Sequence, residues 1–316
     1  MIKLYHGDCL KRMAELEAES VNCCVTSPPY YGLRDYGHEG QIGLEQTPDE
    51  YVQKMVAVFR EVWRVLRKDG TVWLNLGDSY NSGSGGYDDK YKGAMTGRKD
   101  KVENILKQKR LDSNLKHKDL IGIPWRVAFA LQADGWYLRQ DIIWHKPGPM
   151  PESVKDRCTK AHEYIFLLTK SARYWYDAEA IAEPAADPGD ERHLRSDTRK
   201  LEERLCIDNG SRKRTGNATG DTRNRRSVWT VPTRSYPGAH FATFPPDLIK
   251  PCIKAGCPKT GTVLDPFFGS GTTGLVAQEL GRRWVGIELS SEYCELAKLR
   301  IPAGYQTNLL ELCNER

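Results

Sequence analysis

Apolar positions along the chain fall into short continuous runs that alternate with amphipathic stretches. Residues 2–5 form a strand-length run that ends at His6-Gly7-Asp8. Leu10, Met13 and Leu16 follow at helical spacing. Residues 21–25 are a second continuous run, and Thr26-Ser27-Pro28-Pro29-Tyr30 ends it. Two prolines cannot continue a central strand, so the chain must leave the sheet there. Residues 49–66 carry Val52, Met55, Val56, Phe59, Val62, Trp63 and Leu66 on one helical face. Asp69-Gly70 is expected to close that helix, and 71–76 to be the next strand. Pro124 opens another helix through Trp125, Val127, Ala128 and Leu131. Residues 138–145 and 163–169 read as strands, with 173–176 extending the same sheet.

A composition shift begins near Glu183, and apolar periodicity returns only after about residue 230. Residues 245–253 read as a helix and 262–264 as a strand ending at Asp265. Residues 272–280 read as a helix and 284–287 as a strand ending at Glu288. Ser290 caps a last helix through Tyr293, Leu296 and Leu299, with Glu292 in its first turn. Strands alternating with helices predict an α/β fold with a largely parallel, twisted sheet. Ligands of such sheets bind outside the carboxyl ends of the strands. Asp8, the Ser27–Tyr30 turn, Asp265 with the glycine loop after it, and Glu288 all lie at those ends.

Composition narrows the class. The 316 residues correspond to one or two domains at ~150 residues each. Hydrophobic residues are 39%, charged residues 28%, and mean hydropathy is −0.60. No run of ~18 apolar residues could span a membrane. The first residues lack the apolar stretch of a signal peptide, so a cytoplasmic chain is expected. The nine cysteines are odd in number and show no paired zinc-finger spacing, so neither disulfides nor a metal site is expected. Net charge is only +5, but its distribution is uneven. Between Lys90 and Lys118 there are ten Lys or Arg and three acidic residues; between Pro188 and Arg226 there are eleven and seven. Both stretches lack core-forming periodicity and suit either a phosphate backbone or plain solvent.

The loop Asp265-Pro266-Phe267-Phe268-Gly269-Ser270-Gly271-Thr272-Thr273 sits between a strand and a helix. Two glycines allow close backbone approach to a ligand. The loop is not a dinucleotide fingerprint and lacks the phosphate-binding lysine, which disfavours ATP hydrolysis. A nucleoside with a charged, non-phosphate tail suits it better. Glu288, after the next strand, stands where an acid commonly accepts hydrogen bonds from ribose hydroxyls. The Ser27-Pro28-Pro29-Tyr30 turn offers two acceptors, the Ser27 side-chain oxygen and the Pro28 carbonyl. Such a pair could hold both N–H groups of a nucleobase amino group and aim its lone pair. Tyr30 adds an aromatic face for an extruded base.

Thr26 to Tyr30 and Asp265 to Thr273 together resemble the amino-group methyltransferases of DNA, which use S-adenosylmethionine. The catalytic motif precedes the cofactor motif, as in the β group of these enzymes, a circular permutation of the usual class I methyltransferase sheet. His6-Gly7-Asp8-Cys9, the stretch Asp141-Ile142-Ile143-Trp144-His145-Lys146-Pro147, Ala161-His162-Glu163-Tyr164 and residues 240–246 match as well. The resemblance implies a circularly permuted Rossmann-like fold. Residues 1–184 would be its catalytic part, interrupted by the basic insertion at about 80–120. Residues 185–230 would be a target-recognition or flexible insertion, and 231–316 the cofactor-binding part.

The resemblance further implies that Ser27, Pro28, Pro29 and Tyr30 hold the target base. Asp8, Thr26, Asp265, Phe267, Phe268, Gly269, Ser270, Gly271, Thr272, Glu288 and Leu289 would surround the cofactor. His240, Ala242 and Thr243 would approach its methionine end. Ser-Pro-Pro-Tyr members mostly methylate N4 of cytosine and Asp-Pro-Pro-Tyr members N6 of adenine, so cytosine is expected, with adenine as the alternative on the same scaffold. RNA, a protein amide or an inactive DNA-binding regulator rank below these. DNA is the expected partner; a cognate restriction endonuclease and a homodimer are left open. Cys23 and Cys24 are expected to be buried strand residues, and Trp144 and Trp229 core residues.

Overall fold

A computed structural model describes residues 2–81, 115–185, 222–233 and 244–302. The chain divides into two compact units, one of Met1–Tyr176 with Ser227–Arg316 and one of Asp177–Arg226. In the first, strands β1 (Lys3–His6), β2 (Val21–Thr26), β3 (Leu66–Leu76), β4 (Tyr137–His145), β5 (His162–Thr169), β8 (Val228–Thr230), β9 (Thr262–Asp265) and β10 (Arg283–Glu288) form one sheet. Their order is β1-β10-β9-β2-β3-β5-β4-β8. Every pairing is parallel except the two made by β5, with β3 and with β4. The second unit pairs β6 (Glu183–Pro184) with β7 (Thr222–Arg223), and Glu183 accepts from Arg226 Nε at 3.1 Å.

Helices α1 (Cys9–Met13), α2 (Pro48–Val65) and α3 (Ile123–Ala133) pack together on the main core. Helices α4 (Pro246–Gly256) and α5 (Thr272–Glu279) pack against each other, and α6 (Ser291–Arg300) follows β10. Helix α2 starts where local chemistry favours it. The Thr47 hydroxyl accepts from the Glu50 amide at 3.2 Å, Pro48 occupies the first turn, and Asp49 and Glu50 complement the helix dipole. Its face of Tyr51, Met55, Val58, Phe59, Val62 and Val65 is fully buried.

Two expectations are corrected. The strand after α2 begins at Leu66 rather than Thr71, because Leu66 already pairs with Val21 and Asp69 and Gly70 are themselves part of the strand. Residues 173–176 do not extend the sheet; Tyr176 instead stacks on Trp73, with ring centroids 6.4 Å apart. Trp144 and Trp229 are buried as expected, and Trp144 Nε1 donates to the Val231 carbonyl at 2.8 Å. Cys23 and Cys24 are buried in β2. Burial raises both thiols well above the ordinary value, which disfavours thiolate chemistry.

The chain order on the sheet reverses between β9 and β2. From β9 the chain winds through α5 to β10, and from β2 it winds through α2 to β3 in the opposite direction. Such a switch point opens a crevice at the carboxyl ends of the two central strands. Asp265 ends β9 and Thr26 ends β2, so both sequence motifs emerge there.

Candidate active site

The two motifs are tied together at the switch point. Thr26 Oγ1 donates to Asp265 Oδ1 at 2.6 Å, Thr273 Oγ1 donates to Asp265 Oδ2 at 2.6 Å, and the Phe267 amide donates to Oδ1 at 3.0 Å. Asp265 is almost fully buried, and burial raises its carboxyl to about 6 against the pull of those three donors. This one side chain joins β2, the glycine loop and the first turn of α5.

Beyond Asp265 the loop turns through Gly269 (φ 52) and Gly271 (φ 81), a conformation that other residues adopt only with strain. Glu288 spans the loop and the end of β10: its Oε2 accepts from the Gly269 amide at 2.7 Å and its Oε1 from the Ser290 amide at 2.8 Å. Burial pushes its carboxyl up, and those amides oppose the shift. Arg300 clamps the loop from α6, donating to Ser270 Oγ at 2.8 Å and Thr272 Oγ1 at 2.9 Å. Phe268 is buried and stacks on Trp284 with centroids 5.1 Å apart. The side chains of Phe268, Ser270 and Thr272 therefore serve the loop's own packing, while Phe267, Gly269, Glu288 and Leu289 keep partial exposure. Asp8 caps α1 by accepting from the Lys11 amide at 3.0 Å. His240, Ala242 and Thr243 lie outside the described residues.

On the other side of the switch point, the Ser27–Tyr30 turn is held from three directions. Tyr51 Oη donates to the Pro29 carbonyl at 2.9 Å. Gly77 lies so close to the Tyr30 ring that a Cβ there would meet Cε2 at 2.5 Å. The Tyr30 hydroxyl donates to Glu163 Oε2 at 2.7 Å, has Asn75 Oδ1 at 3.1 Å, and accepts from Ser27 Oγ at 3.4 Å. Lys146 Nζ donates to the other Glu163 oxygen, Oε1, in a largely buried ion pair. Burial, and after it the Glu163 charge, raises the Tyr30 phenol well above its ordinary range.

Sequence reasoning assigned no part in the site to Glu163, Lys146 or Asn75. Glu163 and Lys146 stood within matched stretches, and Asn75 was a lone amide in an apolar strand. That amide in a fully buried run was the available signal, since a buried polar side chain needs partners. Asp78, also unassigned, accepts from the amides of Gly122 and Ile123 at 3.0 Å each and so caps α3.

The geometry is that of a crevice with an acid-braced glycine loop on one wall and a rigid Pro-Pro turn on the other. A model of the DNA methylase family, of the N6 and N4 methyltransferase type, matches residues 21–299. The chain belongs to this family. It is an amino-group DNA methyltransferase, and S-adenosylmethionine is its methyl donor. The methyltransferase is 50% identical to the type II methyltransferase M.SmaI of Serratia marcescens over 303 residues, covering 95% of this chain and 90% of the relative. It is 47% identical to the type II methyltransferase M.Cfr9I of Citrobacter freundii over 309 residues, covering 98% and 90%. Its fold is similar to that of the PvuII DNA methyltransferase (cytosine-N4-specific), with a TM-score of 0.63 at 18% identity, covering 96% of this chain and 86% of that one. It is also similar to a DNA modification methylase of Thermus thermophilus complexed with S-adenosyl-L-methionine, with a TM-score of 0.57 at 22% identity, covering 95% of each chain.

The residues present fit the cofactor. A Cβ at Gly269 would stand in open space, so the loop leaves a cradle there. Glu288 is only partly buried, and besides the Gly269 and Ser290 amides its two carboxylate oxygens have further lone pairs to offer.

Proposed function

We propose that this methyltransferase modifies the exocyclic N4 of cytosine within a specific DNA site, as the modification partner of a restriction system. The Thr26–Asp265 hydrogen bond is the observation that supports methyl transfer in this crevice, because it ties the turn that would grip the base to the loop that would hold the cofactor. Ser27, where adenine-specific relatives more often carry Asp, supports cytosine. The similar PvuII enzyme is itself described as cytosine-N4-specific. The type II relatives support the restriction-modification setting.

S-adenosylmethionine supplies an activated methyl group on a sulfonium centre. Gly269 and Glu288 would hold its nucleoside end. Asp8, Phe267 and Leu289 would flank it, and His240, Ala242 and Thr243 would meet its other end. Ser27 Oγ and the Pro28 carbonyl would accept the two N–H groups of the base; Tyr51 already occupies the Pro29 carbonyl. Two acceptors on one amino group aim the nitrogen lone pair and favour tetrahedral character, so rate comes chiefly from positioning. Tyr30, pinned at its hydroxyl, would stack the base after it leaves the helix. Water is the acceptor for the departing proton.

Ser27→Ala and Tyr30→Ala are expected to lower methyl transfer by at least a hundredfold while S-adenosylmethionine affinity, measured by calorimetry, changes less than threefold. Wild-type turnover in both variants would refute the assignment.

A further inference from the structure

The hydrogen bonds around Tyr30 have a fixed direction. Its hydroxyl carries one proton and faces Glu163 Oε2 at 2.7 Å, Asn75 Oδ1 at 3.1 Å and Ser27 Oγ at 3.4 Å. Glu163 accepts at both oxygens, from Lys146 Nζ at Oε1 and from the Tyr30 hydroxyl at Oε2. Asn75 is oriented by its amide nitrogen, which donates to the Tyr164 carbonyl at 3.0 Å and to Glu163 Oε2 at 3.2 Å, so its oxygen faces Tyr30. The Tyr30 proton therefore goes to the acceptors on its far side, with the shorter bond to Glu163. Only a lone pair remains for Ser27, and the Ser27 hydroxyl must donate toward Tyr30.

We propose that Glu163 is a positioning residue for methyl transfer: acting through Tyr30, it turns the Ser27 hydrogen away from the base and leaves the Ser27 lone pairs to accept the target amino group. The proposal rests on the base-holding role of Ser27 given above. It makes the turn a selector for a donor at that position of the base. An amino group would be accepted, and a carbonyl in its place would face two acceptors. Lys146 and Asn75 hold the carboxylate in register, and Lys146 also lies over the Trp144 ring at 4.3 Å.

Glu163→Gln tests the direction, because the new amide can donate to Tyr30 and leaves only the longer contact with Asn75 Oδ1, 3.1 Å, to hold the Tyr30 proton away from Ser27. Single-turnover methylation should fall at least tenfold, with melting temperature and S-adenosylmethionine affinity unchanged. Binding should be compared on duplexes carrying either the amino base or its carbonyl counterpart at the mapped target, uracil for cytosine or hypoxanthine for adenine. The preference for the amino base should shrink by about tenfold or more in the variant. Adding Glu163→Gln to Tyr30→Phe should cost nothing further, since the connecting oxygen is already gone. Tyr30→Phe alone should show the same loss of discrimination, which covers the case of an unfolded Glu163 variant. Wild-type rate and discrimination in Glu163→Gln, undiminished discrimination in Tyr30→Phe, or full additivity in the double variant would each overturn the proposal. Wild-type turnover in Ser27→Ala would instead overturn the base-holding reading beneath it.

Discussion

Asp265 is a carboxylate placed where its charge is costly. Its folded value of about 6 lies above the ~3.9 of an unfolded aspartate. The folded chain therefore holds this proton more tightly than the unfolded chain. Stability from the group is complete below about 4 and is lost as pH rises through 6, the reverse of an ordinary surface aspartate. Denaturant melts of wild type and Asp265→Asn across pH 4 to 7 are expected to show wild type losing ground to the variant as pH rises. A constant difference would contradict this account of the buried carboxyl. Gly271 gives a second residue-scale expectation. Its φ of 81 and the Ala297 and Ile301 side chains, 3.0 Å from an added Cβ, leave no room for alanine. Gly271→Ala should destabilise the fold by more than ~1 kcal/mol, read by urea titration.

At the scale of elements, local chemistry foretold much of what forms. Ser290 at the start of α6 was read as a cap, and its hydroxyl accepts from the Tyr293 amide at 3.4 Å; the Thr47 cap of α2 was not, since the apolar pattern placed that start at Asp49. Thr47→Ala should lower stability by about 1 kcal/mol without changing methyl transfer, measured by thermal melting and turnover on the same preparation. The strand direction of β5 was not legible, because alternation of side chains is identical in parallel and antiparallel strands. That direction builds half of the site. Antiparallel pairing sets Asn75 opposite Ile165 and Leu76 opposite Tyr164, which brings Glu163 at the start of β5 to Tyr30 and Asn75 near the end of β3. Ser27, Tyr30, Asp265 and Glu288 could be picked out because each follows a strand end or a turn signal. Glu163, Lys146 and Asn75 could not, since their meeting depends on a register spanning some ninety residues of chain.

For the whole molecule, the crevice between β9 and β2 explains why a permuted chain keeps one site. Moving the termini to another connection leaves the neighbours of the switch point unchanged. Both basic stretches lie largely outside the described residues, but the anchorage of the first is clear. Asn81 and Lys118 donate backbone hydrogen bonds to the carbonyls of Asp119 and Asn81 at 2.7 and 2.8 Å, closing the stretch just past the carboxyl end of β3. Neutralising Lys107, Lys109 and Arg110 together is expected to weaken DNA binding and to flatten the slope of log affinity against log salt by about 2 to 3, with S-adenosylmethionine affinity unchanged. An unaltered salt slope would remove this stretch from the DNA interface. Nucleoside mass spectrometry of DNA incubated with the methyltransferase and S-adenosylmethionine tests the central claim most directly. N4-methylcytosine is predicted to accumulate with wild type and to be absent with Ser27→Ala; N6-methyladenine as the product, or N4-methylcytosine at wild-type levels in the variant, would contradict it.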